Sequence, residues 1–184
     1  MKDRLYCDRI DSVRRRRAQT TMWDLTDGLC RLLAPVLCHT ADEAYRALWQ
    51  VGPDNEDCCV HLEEFIEHFD IAVDAEWAKV MRVREQVMLA IETAKRERGL
   101  DNPLDAGVVL RDVDGVFARF DTCDLADLFG VSRVSLTQDG PEVEVVDLRG
   151  EPRCERSWKR DGTVRERSDG GMLSDRDAAA VGVA

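Results

Sequence analysis

Residues 74–99 read DAEWAKVMRVREQVMLAIETAKRERG, and their periodicity decides the fold class. Val80, Val83, Val87, Ile91 and Ala94 recur at steps of three and four, which aligns them on one face of a helix. Asp74 is placed to cap the start of that helix, and Gly99, which enters the left-handed region without a Cβ penalty, to end it. Arg82, Arg84, Lys95, Arg96 and Arg98 occupy the remaining sides. The chain is therefore expected to be mainly α.

Upstream, Met22, Leu25, Leu29, Leu32 and Val36 repeat the same spacing between Ala18 and Leu37, which predicts a second amphipathic helix entered through Ser12. Pro35 lacks an amide hydrogen and clashes with the preceding turn, so this helix should kink or end near it. Thr40-Ala41-Asp42-Glu43 reads as a capping box opening a short helix that runs to about Gln50. Gly52-Pro53 and the polar run Asp54 to Asp57 then form a loop, and His61 to Phe65 a brief extended or turn segment.

Downstream of Asn102-Pro103 the period changes. Val108-Val109-Leu110 is a short β-type run, Asp121 to Phe129 a helix stopped by Gly130, and Val131 to Leu136 an alternating strand. Asp139-Gly140-Pro141 turns the chain into Val143 to Leu148, which predicts a hairpin. This segment is a small α+β unit. Beyond Gly150 the sequence is charged, with Trp158 its one aromatic residue, and is expected to be too polar to fold unaided.

The 184 residues are 44% hydrophobic and 34% charged, enough for a buried core and inconsistent with wholesale disorder. Apolar runs fall far short of the roughly 18–20 residues that cross a bilayer, so no membrane partner is expected. Seven cysteines at 7, 30, 38, 58, 59, 123 and 154 follow no disulfide spacing, which points to a reducing, cytoplasmic setting. The net charge of −11 disfavours nucleic acid on its face, but it is unevenly spread. Residues 1–17 hold seven basic and three acidic side chains, whereas 42–76 hold eleven acidic ones and only Arg46.

The ordered segments KDRLYC (2–7), RRRRAQTTMWDL (14–25), LCRLLAPVLCHTADEAY (29–45), VHLEEF (60–65) and VREQVMLAIETAKRERG (83–99) resemble the C-terminal half of bacterial isoleucine-tRNA ligases. The resemblance implies a helical anticodon-binding domain over 1–100, a small α+β junction domain over 101–150, and a zinc-ribbon-like tail over 151–184. In the family the tail carries C-x-x-C-W and L-C-x-x-C, spacing suited to tetrahedral thiolate zinc. Here the matching stretches are CERSW (154–158) and LSDRD (173–177), so the ligand positions are Cys154, Ser157, Ser174 and Asp177. Serine hydroxyls are neutral and hard to deprotonate, which marks the site as degenerate.

The implied partner is isoleucine tRNA, held at the anticodon stem-loop. Trp158, Lys159 and Arg160 would stack on an unpaired base and hold phosphates, and Arg14, Arg15, Arg16 and Arg17 would add phosphate contacts. The alternatives are that Trp158 packs on the α+β unit and that the arginines pair with Asp8, Asp11 and the acidic loop. HIGH-like, KMSKS-like and Walker-type motifs are absent from the sequence. No cofactor is therefore expected in this chain, and ATP and magnesium would serve a catalytic N-terminal part, a further implied partner. KDRLYC matches the interior of a family helix, so the chain is expected to be a fragment or a separately read frame. His61 and His68 with Glu63, Glu64 and Glu67 match no standard metal spacing, and adjacent Cys58-Cys59 suits neither zinc nor redox chemistry. The competing reading is a non-catalytic helical interaction protein whose acidic loop meets a basic partner.

Overall fold

The computed structural model describes residues 2–66 and 74–183. Helices α1 (Lys2–Tyr6), α2 (Val13–Leu33), α3 (Cys38–Trp49) and α4 (Trp77–Arg98) come first, with a 3-10 turn at Val60–Leu62. They are followed by β1 (Ala106–Arg111), α5 (Thr122–Phe129), β2 (Arg133–Thr137), β3 (Val143–Asp147), β4 (Arg165–Glu166), β5 (Met172–Leu173) and α6 (Asp175–Val181). The chain forms two compact units, Asp11–Ala72 and a second comprising Met1–Ile10 with Val73–Ala184.

In the first unit Ser12 caps α2 as expected, its hydroxyl accepting from the Arg15 amide at 3.1 Å. α2 stops two residues before Pro35, and the amides of Val36 and Leu37 both donate to the Leu33 carbonyl, at 3.0 and 2.8 Å. That tight turn starts α3 at Cys38, so Thr40 lies inside the first turn rather than capping it, and Leu37 supplies no side-chain cap. Cys30, Ala34, Ala41, Tyr45 and Val60 form the core between the helices. Its mostly small side chains let α2 and α3 approach closely. The predicted stripe of α2 faces elsewhere: Met22, Leu25, Leu29, Leu32 and Val36 are 40–78% exposed. Their spacing is helical as expected, but α3 packs on the neighbouring face, against Cys30 and Ala34. Asp42 secures the following loop by pairing with Arg46 at 2.7 Å and accepting the Val60 amide at 3.1 Å.

In the second unit the α4 stripe is buried from Val80 to Ala94. Asp74 opens the turn ahead of it, accepting the Glu76 amide on its side chain at 2.9 Å, and Gly99 closes it at φ +61°. The strand order is β2-β1-β3. β1 runs parallel to β2, with Val108 opposite Val134, and antiparallel to β3, with Val108 opposite Val145. The predicted hairpin of β2 with β3 is therefore not formed. β1 presents Ala106, Val108 and Leu110, all buried, and takes the centre of the sheet; α5 provides the crossover that a parallel neighbour requires. Leu125 and Phe129 of α5 join the α4 stripe on this face of the sheet. Helix α4, assigned by resemblance to a helical domain, thus covers the sheet of the α+β unit. Arg149 ties the two by donating to the carbonyls of Arg98 and Gly99, each at 3.2 Å, while paired with Asp147 at 2.7 Å.

The tail is folded, contrary to the expectation from its polarity. Cys154, Val164, Leu173 and Ala178 make a small core beside the β4–β5 pair and α6. Most of the charges that made the segment look solvated are paired. Arg167 is buried, donates to the Leu173 carbonyl at 2.9 Å and meets Asp175 at 2.7 Å.

Two outcomes follow from these placements. Ile91→Ala should cost about 2–5 kcal/mol in urea denaturation, whereas Leu32→Ala, at an exposed position, should stay within about 0.5 kcal/mol. Cys7 is buried just after α1, and its thiol is pushed up to about 11, first by burial and then by the Asp3 carboxylate. With iodoacetamide near pH 8.5, exposed Cys38 and Cys123 should label at least about tenfold faster than Cys7, which should catch up only as pH approaches its raised value.

Candidate nucleic-acid interface

Trp158 sits in a turn closed by two backbone hydrogen bonds, its amide to the Cys154 carbonyl and the Cys154 amide to the Lys159 carbonyl, both 2.9 Å. The turn holds Trp158 at φ +64°, a left-handed conformation that is uncommon for a bulky side chain and costs energy. That backbone points the indole outward, 56% exposed, with the Arg153 guanidinium 5.5 Å from its ring centre. Tyr6, also exposed, lines the same surface groove with Trp158, Leu104 and Arg156. Arg153 and Tyr6 were not singled out in the sequence, because nothing in the spacing joins them to Trp158.

Lys159 and Arg160 follow Trp158 in sequence but turn inward. Lys159 is buried, with Nζ 2.6 Å from Asp127 and 3.3 Å from Asp3. Arg160 pairs with Asp105 at 2.8 Å, donates to the Glu151 carbonyl, and its amide donates to Ser132 Oγ at 2.8 Å. Their expected place on phosphates gives way to fastening the Trp158 turn onto the α+β unit. Arg14 to Arg17 form the first turn of α2; Arg16 and Arg17 are exposed, while Arg14 and Arg15 are half-buried and engage partners.

The four positions that carry zinc ligands in the resembled family do converge. Asp177 is fully buried, and its Oδ2 accepts from Ser157 Oγ at 2.6 Å, Ser174 Oγ at 2.8 Å and Cys154 Sγ at 3.3 Å. Arg156 lies 2.8 Å from the other carboxylate oxygen, and Arg176 is 3.2 Å from Oδ2. Burial alone would raise the pKa of Asp177, but these hydrogen bonds and the Arg176 charge bring it down to about 2. A divalent cation does not fit this set. Three of the four groups are donors aimed at the carboxylate, and two guanidiniums stand where a metal would require anions.

The acidic segment is used partly within its own unit. Arg31 pairs with Asp27 at 2.9 Å and Glu63 at 3.2 Å, and His61 Nε2 lies 3.2 Å from the Cys38 carbonyl. Glu67 and His68 lie outside the described residues. Among the described residues no group of three His, Cys, Asp or Glu side chains is arranged to hold a metal, and no helix is long and apolar enough to cross a membrane.

The family model described as the anticodon-binding domain of tRNA ligase matches residues 1–110, from α1 to Leu110 in β1. The chain is 32% identical to the isoleucine–tRNA ligase of Desulfotalea psychrophila over 98% of its own length and 21% of that protein. It is 38% identical to the isoleucine–tRNA ligase of Brevibacillus brevis over 81% of the chain and 16% of the relative. Against the Laribacter hongkongensis isoleucine–tRNA ligase the figures are 35%, 96% and 19%. The chain therefore spans about a fifth of the length of these curated relatives, and the likeness continues through the tail that carries Trp158. With more than half of its residues matched by one family, the chain belongs to the anticodon-binding domains of tRNA ligases.

Proposed function

We propose that this chain is the part of an isoleucine-tRNA ligase that grips the anticodon stem-loop of isoleucine tRNA, in service of aminoacylation. The observation that carries the reading is the exposed Trp158, held outward at φ +64° beside Arg153 in a chain of this family. An aromatic face next to a guanidinium stacks on an unpaired base, and the adjacent charge meets a phosphate. Tyr6 on the same groove offers a second face. Arg16 and Arg17 add exposed positive charge at the start of α2. Phosphate contacts there contribute salt-sensitive affinity without sequence choice. Lys159 and Arg160 act by position, since their ion pairs hold the turn that presents the indole.

Amino-acid activation with ATP and magnesium belongs, in this reading, to a catalytic part outside the chain. ATP–pyrophosphate exchange by the purified chain would overturn it.

Electrophoretic titration should give a complex with isoleucine tRNA at low salt that weakens steeply as salt is raised. Trp158→Ala should lower affinity about tenfold at any salt, as loss of one stacked base does. Arg16→Ala or Arg17→Ala should instead flatten the dependence of log affinity on log salt by about one each. Absence of any complex at low salt and high protein concentration would favour an acidic surface that meets a basic partner.

A further inference from the structure

Five side chains that tRNA recognition does not use enclose one carboxylate. Asp177 lies at the start of α6, where Ser174 caps the helix by accepting the Asp177 amide at 3.2 Å. Its two oxygens receive Ser157, Ser174, Cys154, Arg156 and Arg176. The arginines carry the connection further. Arg156 also donates to the carbonyl of Tyr6 at 2.7 Å and to that of Cys7, closing the end of α1, and Arg176 also grips Asp3. One buried anion thereby fastens residues 3–8, 154–160 and 173–177 to each other.

In a thiolate zinc site a central cation is surrounded by anionic acceptors. Here the arrangement is reversed, with a central anion surrounded by hydroxyl, thiol and guanidinium donors. A buried carboxylate is tolerated when its lone pairs are filled by charge-assisted hydrogen bonds, and this one is surrounded by them. We infer that the Asp177 carboxylate takes the place of the metal, so that the tail folds and stays folded with no bound cation, in a pocket that keeps the outline of a four-ligand site. The inference rests on the same family resemblance as the proposed function. Its tests involve no tRNA, so either can fail without the other.

The full chain, purified and dialysed against EDTA, is compared with a sample given equimolar zinc, and three quantities are read. These are metal content, thermal unfolding, and the rate of tryptic cleavage in the tail. Metal should stay below about one zinc per ten chains, with melting and cleavage the same in both samples. Stoichiometric zinc whose removal loosens the tail would overturn the inference. Asp177→Asn keeps the shape of the side chain but removes its charge. It should speed tail cleavage at Arg165 and Arg167 by tenfold or more, roughly the effect of losing one charge-assisted hydrogen-bond set, and added zinc should not restore protection. Unchanged cleavage would overturn the role of the charge. The triple variant Ser157→Cys, Ser174→Cys, Asp177→Cys supplies four thiols at the same positions and should bind one zinc per chain, with cleavage that becomes sensitive to EDTA. A folded triple variant that takes up no zinc would show that the pocket does not have a metal's outline.

Discussion

The second unit depends on the way β1 alternates. Ala106, Val108 and Leu110 point to one face of a sheet that has only three strands, and that face cannot be left in water. Two helices cover it, α5 from the crossover between β1 and β2, and α4 from the sequence before β1. Gly107, on the opposite side of the strand, packs closely against Leu148: a Cβ there would lie 3.3 Å from its Cδ1. The apolar face thus takes both helices, and the glycine leaves room for Leu148 on the other side. The long basic helix belongs to the sheet because its Val80 to Ala94 stripe completes, with α5, the core on that face.

The elements themselves were legible wherever a local rule operates. The stripe of α4, the Ser12 cap, the helix ending at Phe129 and the glycine stops at Gly99 and Gly130 all depend on residues within a few positions of each other. Pairings over longer distances were not legible. β2 and β3 are sequence neighbours joined by turn residues, yet they lie on opposite sides of β1, because the most buried strand takes the centre regardless of order. In α2 the period was visible but not the direction of burial, which α3 decides through Cys30, Ala34 and Ala41.

The candidate site divides in the same way. Trp158 could be picked out as the single aromatic of a charged tail, but its left-handed backbone and the nearby Arg153 are products of folding. Lys159 and Arg160 show the limit of counting charge. Residues 151–184 contain seven basic and seven acidic side chains, and sequence alone does not say which of them meet one another. Asp127, Asp105 and Asp3, the partners of Lys159 and Arg160, lie between 32 and 156 positions away. A segment that looks soluble because it is charged is instead held together by those charges.

The contacts between residues 3–8 and the tail join groups separated by 149 to 173 positions. Bringing such distant groups together costs loop-closure entropy that contacts within one helix or turn do not incur. Loss of the tail would therefore leave the end of α1 without its partners Arg156 and Arg176.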